Sequence, residues 1–326
     1  MKTAIRTVLA TLTLSVAVPA AVAADAPSRT ECIAPAKPGG GFDLTCKLLQ
    51  VSLQETGQIT SPMRVTYMPG GVGAVAYNAI IAQRPAEAGT VVAFSGGSLL
   101  NLSQGKFGRY SVDDVKWLAA VGTDYGMVAV RADAPWKNLD ELLEAMKNDP
   151  NKVVVGAGAS IGSQDWMKTA LLARSAGVDP RKMRYVAFEG GGESVTALLG
   201  NHIQVVSGDM SEMVPHLQSG KMRVLAVMSE KRLPGELAAI PTAKEQGYDV
   251  EWPVIRGFYL GPKVSDADYQ WWQQAFDKLA ASDEFKKQRD LRGLFEFNLT
   301  GEALDSYVKK QVAQYREQAK SFGLAK

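Results

Sequence analysis

The sequence predicts an α/β protein of about two doubly wound domains, with parallel sheets covered by helices on both faces. Two observations carry this. Short apolar runs of strand character repeatedly end in glycine-rich loops that open onto segments with helical spacing, and such alternation is the mark of parallel sheets. The chain also has 326 residues, of which 46 % are hydrophobic, enough for two cores at roughly 100–200 residues per domain.

Taken in order, Cys32-Ile33-Ala34 reads as a strand that runs into Lys37-Pro38-Gly39-Gly40-Gly41-Phe42-Asp43. A helix follows, because Leu44, Leu48 and Val51, with Leu49 and Leu53, recur at helical spacing. Val65-Thr66-Tyr67 leads to Pro69-Gly70-Gly71-Val72-Gly73 and a helix through Arg84. Val91 to Phe94 leads to Ser95-Gly96-Gly97-Ser98. The middle of the chain repeats the theme without a fixed period. Val153 to Val155 leads to Gly156 through Ser163, Tyr185 to Phe188 leads to Glu189-Gly190-Gly191-Gly192, and Val205 to Ser207 leads to Gly208-Asp209. Val224 to Val227 is one more strand. The tail differs, with helices expected over 266–281, 283–289 and 302–322. On the last of these, Leu304, Val308, Val312 and Tyr315 make one apolar face.

The first residues read as an export signal. Lys2 and Arg6 precede a mostly apolar run from Val8 to Val18, Pro19 breaks it, and Ala21-Val22-Ala23 fits a small-x-small cleavage pattern. The run is too short to span a bilayer as a helix. Cleavage after Ala23 removes two lysine or arginine residues and takes the formal charge of +2 to zero. A neutral chain carries no nucleic-acid or membrane footprint. The two cysteines, Cys32 and Cys46, either bridge in an oxidising compartment or stand as two buried thiols, and the spacing is compatible with both.

Three chemistries compete for the glycine loops. The first is anion binding by backbone. Loops at the carboxyl ends of strands, where open α/β sheets bind ligands, present unpaired N–H groups and the positive ends of helix dipoles. The candidates are Gly39, Gly40, Gly41, Phe42 and Asp43 after the first strand; Ser95 and Ser98; Gly158, Ala159, Ser160, Ser163 and Gln164; Gly191; and Asp209. The bland reading of each loop is an ordinary turn in which Asp43 or Ser163 caps a helix. The second is a nucleotide site, but Gly156-x-Gly158-x-x-x-Gly162 is one residue too long for the dinucleotide fingerprint and no phosphate-binding GxxxxGK[ST] occurs. The third is ester hydrolysis. Gly158-Ala159-Ser160-Ile161-Gly162 matches a nucleophile elbow, and Asp209 and His216 follow in hydrolase order. The alternative is therefore a secreted serine esterase with Ser160 as nucleophile. His202 is the one other histidine, and His216 falls in a short helix rather than a loop. Two histidines and two cysteines at unrelated positions give no metal-ligand spacing, so no cofactor or metal is expected.

Together the loops carry a resemblance. Pro38 to Asp43, Pro69 to Gly73, Gly156-x-Gly158 with Ser160 and Ser163, Phe188 to Gly192, and Arg223 to Val227 with Ile240-Pro241-Thr242 resemble successive signatures of the Bug-type substrate-binding proteins of tripartite tricarboxylate transporters. Glu31 to Ala36, Ile161 to Trp166 and Trp252 to Pro262 look most like the tricarboxylate-binding members. The resemblance implies a periplasmic, monomeric two-domain flytrap of the type II kind with the ligand in the interdomain cleft. It implies no enzyme activity. Carried onto this chain, domain one is 24–124 plus 255–326, domain two is 125–254, and the crossing segments near 123–130 and 252–258 form the hinge. It implies a carboxylate ligand, citrate first, gripped by Gly39 to Asp43 and by Gly158 to Gln164. It also implies large and small membrane subunits as partners. Gln164-Asp165 departs from the family pattern after the third loop's serine. Lys37, Arg256 or a bound cation are the candidates to offset a bound anion's charge.

Overall fold

The computed structural model describes residues 26–217 and 219–325; the expected export signal lies outside them. The elements follow in the order β1 (Glu31–Ala34), α1 (Gly41–Glu55), β2 (Arg64–Tyr67), α2 (Ala74–Gln83), β3 (Thr90–Ser95), α3 (Gly96–Ser103), β4 (Lys116–Arg131), α4 (Leu139–Asn148), β5 (Val154–Gly158), α5 (Gln164–Ser175), β6 (Arg184–Phe188), α6 (Gly191–Leu199), β7 (Val205–Asp209), α7 (Met210–Leu217), β8 (Met222–Val227), β9 (Pro253–Leu260), α8 (Asp266–Ala281), α9 (Asp283–Leu291), β10 (Leu299–Thr300) and α10 (Gly301–Ser321). The α/β class and the βα alternation expected from the sequence are present.

The sheet is mixed rather than parallel, which corrects the expectation. Its order is β2-β1-β3-β9-β4-β7-β5-β6, with β8 and β10 also pairing with β4. The βα units are parallel, as in β1 with β2 and β3, and in β5 with β6 and β7. The centre is antiparallel: β9 pairs with β3 and β4, and β4 pairs with β7 and β8. The segments read as hinge crossings are thus long strands. The first half of β4, Lys116 to Tyr125, lies against β9; the second, Gly126 to Arg131, lies against β7 and β8. One 16-residue strand therefore serves both halves of the sheet.

Burial follows from the pattern. β1 and β3 are buried along their whole lengths, as strands covered on both faces must be. Leu48, Leu49 and Leu53 of α1 join Phe258, Trp272 and Phe276 in one core. Met127, Val206, Met213 and Val227 anchor another on the β7 side. The apolar face of α10, with Leu304, Val308, Val312 and Tyr315, is buried as expected and closes a third core that reaches both halves of the sheet. Serine caps are placed where the helices must begin: Ser95 makes a reciprocal capping box on α3, and Ser163, Ser265 and Ser282 cap α5, α8 and α9. The cysteine question is resolved: Cys32 and Cys46 form a disulfide that ties β1 to α1. No described helix is long and apolar enough to cross a membrane.

Candidate functional site

Parallel strands that end in glycine loops aim the N-termini of their helices at one place. The starts of α1, α3, α5 and α6 line a single cavity of about 330 Å³. Each first turn leaves N–H groups without intrahelical partners, so the walls favour anionic or acceptor atoms. Of the residues predicted from sequence, Gly40, Gly41, Phe42, Ser95, Gly158, Ala159, Ser160, Ser163, Gln164, Gly191 and Asp209 line this cavity. Gly39, Asp43 and Ser98 lie outside its lining. Asp43 instead ties its own loop, accepting from the Gly39 N–H at 2.8 Å, from Lys47 at 2.8 Å and from the Tyr67 hydroxyl at 2.9 Å. Ser98 completes the capping box with Ser95.

Two wall residues hold backbone conformations that L side chains rarely adopt. Val72 has φ +54° and Ala159 has φ +66°. For a β-branched residue such as Val72 this is a strained geometry, and strain of this kind gathers where a site must be shaped.

A buried charge network forms part of the cavity wall and extends behind it to the middle of β4, where the sheet changes partners. Arg256 of β9 donates to Asp124 of β4 at 2.8 Å and to Asp209 of β7 at 2.6 Å. Lys168 of α5 donates to Asp165 at 2.8 Å, to the Gly208 carbonyl at 3.0 Å, and to Asp209. Its side chain is 0 % exposed. The Gln164 amide donates to Asp209 at 3.2 Å, and Ser211 donates to Asp124 through its hydroxyl at 2.6 Å. Burial alone would lower both cations, but the facing aspartates hold Lys168 and Arg256 above their ordinary values. Burial pushes Asp124 and Asp165 up, whereas two cations outweigh burial at Asp209 and hold it down.

A fourth carboxylate, Glu212, forms no ion pair with these cations among the described residues. Its Oε1 accepts from the Gly41 N–H at 2.8 Å. Desolvation first, and Asp209 and Asp165 after it, push Glu212 up to about 8. The glycines around it are needed. A methyl group on Gly191 would sit 2.3 Å from Glu212 Oε2, and one on Gly41 would sit 2.2 Å from the Arg256 guanidinium.

Sequence reasoning missed Glu212, Asp165, Lys168 and Asp124 as members of the site. Arg256 was noted only as a possible source of charge. Glu212 follows Asp209 by one helical turn, a spacing that could have marked it; Lys168 and Asp124 sit in ordinary helix and strand contexts and carry no signal. The esterase constellation does not assemble. Among the described residues no hydrogen bond joins Ser160 to Asp209 or to a histidine, and Asp209 is already taken by Lys168, Arg256 and Gln164.

Contacts also join the two sides of the cavity. Lys37 pairs with Glu193 at 2.7 Å, and the Gln104 amide donates to the Gly162 carbonyl at 2.9 Å. Two half-sheets thus share a central strand, and their loops meet across a cleft. The profile of the tripartite tricarboxylate transporter family receptor matches residues 50–324.

The chain belongs to this receptor family. Its kin in the family are solute-binding proteins rather than enzymes. Protein BugT of Bordetella pertussis is 27 % identical over 221 residues, 67 % of this chain and 65 % of BugT. The chain spans 61 % and 65 % of the lengths of two curated relatives it matches. Among solved structures, the periplasmic binding protein BugD superposes with a TM-score of 0.82 at 22 % identity, covering 92 % of this chain and 99 % of BugD. MatC from Rhodopseudomonas palustris, solved with bound malate, superposes with a TM-score of 0.77 at 19 % identity, covering 89 % and 99 %. These likenesses establish the periplasmic binding protein fold expected from the loop motifs.

Proposed function

We propose that this receptor captures a small carboxylate in the cavity, closes on it and delivers it to the large and small membrane subunits of a transporter. The observation that carries the reading is the convergence of four helix N-termini, from both halves of the sheet, on one cavity. A ligand held by both sides favours the closed arrangement through contacts the open one lacks. The two lobes are 24–124 with 255–326, and 125–254, flexing where β4 and β9 cross between them. The protein acts as a monomer in the periplasm after removal of residues 1–23. A carboxylate ligand is in keeping with the malate in MatC. Citrate, the expectation from sequence, is the tricarboxylate member of the class.

The test is calorimetry and thermal shift with acetate, malate, succinate, adipate, citrate and 4-aminobutyrate on the mature protein. At least one acid is expected to bind and to raise the melting temperature by mass action on the folded state. A panel without heat or shift overturns the reading. Turnover of a simple ester that Ser160→Ala abolishes would revive the esterase.

A further inference from the structure

We propose that Glu212 is the specificity determinant of this cavity: a resident carboxylate that fills one anion seat, so that the receptor selects a monocarboxylate bearing a protonated amine at its far end over di- and tricarboxylates. The proposal rests on the carboxylate-receptor reading and narrows it.

The seat is visible in the geometry. Glu212 reaches from α7 to the start of α1, where its Oε1 takes the Gly41 N–H at 2.8 Å. Its other oxygen accepts from the Asp209 N–H at 3.5 Å and lies 2.3 Å from where a Cβ on Gly191, the first residue of α6, would stand. A carboxylate between two helix N-termini is the arrangement a bound acid would adopt. Here the protein supplies it from its own chain, and a ligand carboxylate arriving at the same place would meet Glu212 first.

The charge balance of the wall points the same way. Asp165, Glu189, Asp209 and Glu212 line the cavity together with Lys106 and Arg256, and Asp124 lies directly behind. The two buried cations are already engaged, Lys168 by Asp165 and Asp209, and Arg256 by Asp124 and Asp209. Among the described residues no cation pairs with Glu212. Two acceptors and one donor, Arg256 Nε, are also left over. Asn101 Oδ1 and Gln164 Oε1 are buried without a donor, and both residues line the cavity. Asn101 is 2 % exposed and Gln164 is 7 % exposed. A second ligand carboxylate brings only acceptors and negative charge to a wall whose carboxylates outnumber its cations. An ammonium brings three N–H donors and the missing charge. The ligand's single carboxylate then falls to the other side, toward Ser160 and Lys106, whose ammonium donates to the Ile161 carbonyl at 3.5 Å.

Three charged groups face Glu212: Asp209 and Asp165 disfavour its ionised form, and Arg256 of β9 favours it. An ammonium would tip that balance, so binding of an aminocarboxylate at neutral pH should release a proton from the site.

The experiment compares matched pairs by calorimetry: 4-aminobutyrate against succinate, and 5-aminopentanoate against glutarate, on the mature protein and on Glu212→Gln. In the wild type the aminocarboxylate of at least one pair is expected to bind tenfold or more tighter than its dicarboxylate. Glu212→Gln is expected to shrink or invert that ratio by at least tenfold. Repeating the wild-type titration in two buffers of different ionisation heat should show proton release, a readout that needs no variant. A dicarboxylate preference that Glu212→Gln leaves unmoved overturns the proposal and leaves the receptor reading standing. An aminocarboxylate preference without change in the variant and without proton release overturns it as well. If no member of either pair binds while malate or citrate does, the proposal alone fails; if no carboxylate binds, both fail.

Discussion

At the scale of single residues, the site mixes backbone devices with charges that must balance one another. Glu212 makes this measurable without a ligand. Its folded value is about 8 against an ordinary 4.5. Between those values the folded chain keeps a proton that the unfolded chain has lost, so stability falls as pH rises from about 4.5 to 8 and levels off above. Asp124 and Asp165, also raised by burial, add to the slope with the same sign. Urea denaturation at pH 5 and at pH 8.5 should find the wild type more stable at the lower pH, with a smaller difference in Glu212→Gln. Parallel behaviour of the two proteins would show that Glu212 is not the group responsible.

At the scale of elements, the disulfide staples β1 to α1 and so braces the loop that carries Gly40 and Gly41 into the cavity. Closing a loop of this length is worth about 3 kcal/mol in the chain-entropy model. Reduction, or Cys32→Ala with Cys46→Ala, should lower the unfolding free energy by that order and weaken ligand binding; unchanged affinity would mean that the loop holds its shape unaided. The elements also show what could be read in advance. The βα units were legible because each pairs an apolar run with a glycine loop and a periodic helix, and α8 starts and stops where its pattern does. β4 was not. Its run Trp117-Leu118-Ala119-Ala120-Val121-Gly122 mixes small residues of low strand preference, and nothing local says that it will lie antiparallel to a strand more than 130 residues away. The cavity lining was found where backbone makes it, at the glycine loops. The charges behind it were missed because they arrive from α5, α7 and β4 and meet only in three dimensions.

At the scale of the whole molecule, the proposed capture cycle needs two lobes that move while sharing β4. Arg256 sits at that junction, joined to Asp124 on the shared strand and to Asp209 beyond it. Removing one member of so buried a network leaves its partners uncompensated, at a typical cost of about 3–5 kcal/mol. The network therefore holds the junction in register while the loops on either side meet the ligand. The shared sheet also sets the order in which the molecule is made. β3 and the first half of β4 find their common neighbour only in β9, whose pairs include Val92 with Tyr259 and Trp117 with Tyr259. Nothing before residue 253 can complete the first half-sheet. Contacts this distant in sequence slow folding, because the loop must close before they reward it. For a chain exported as proposed, that delay is useful: its leading half stays threadable until nearly all of the chain has emerged. In a fragment ending at residue 252, residues 24–124 should accordingly stay open to protease, whereas protection of that segment would show that the first half assembles without its late strand.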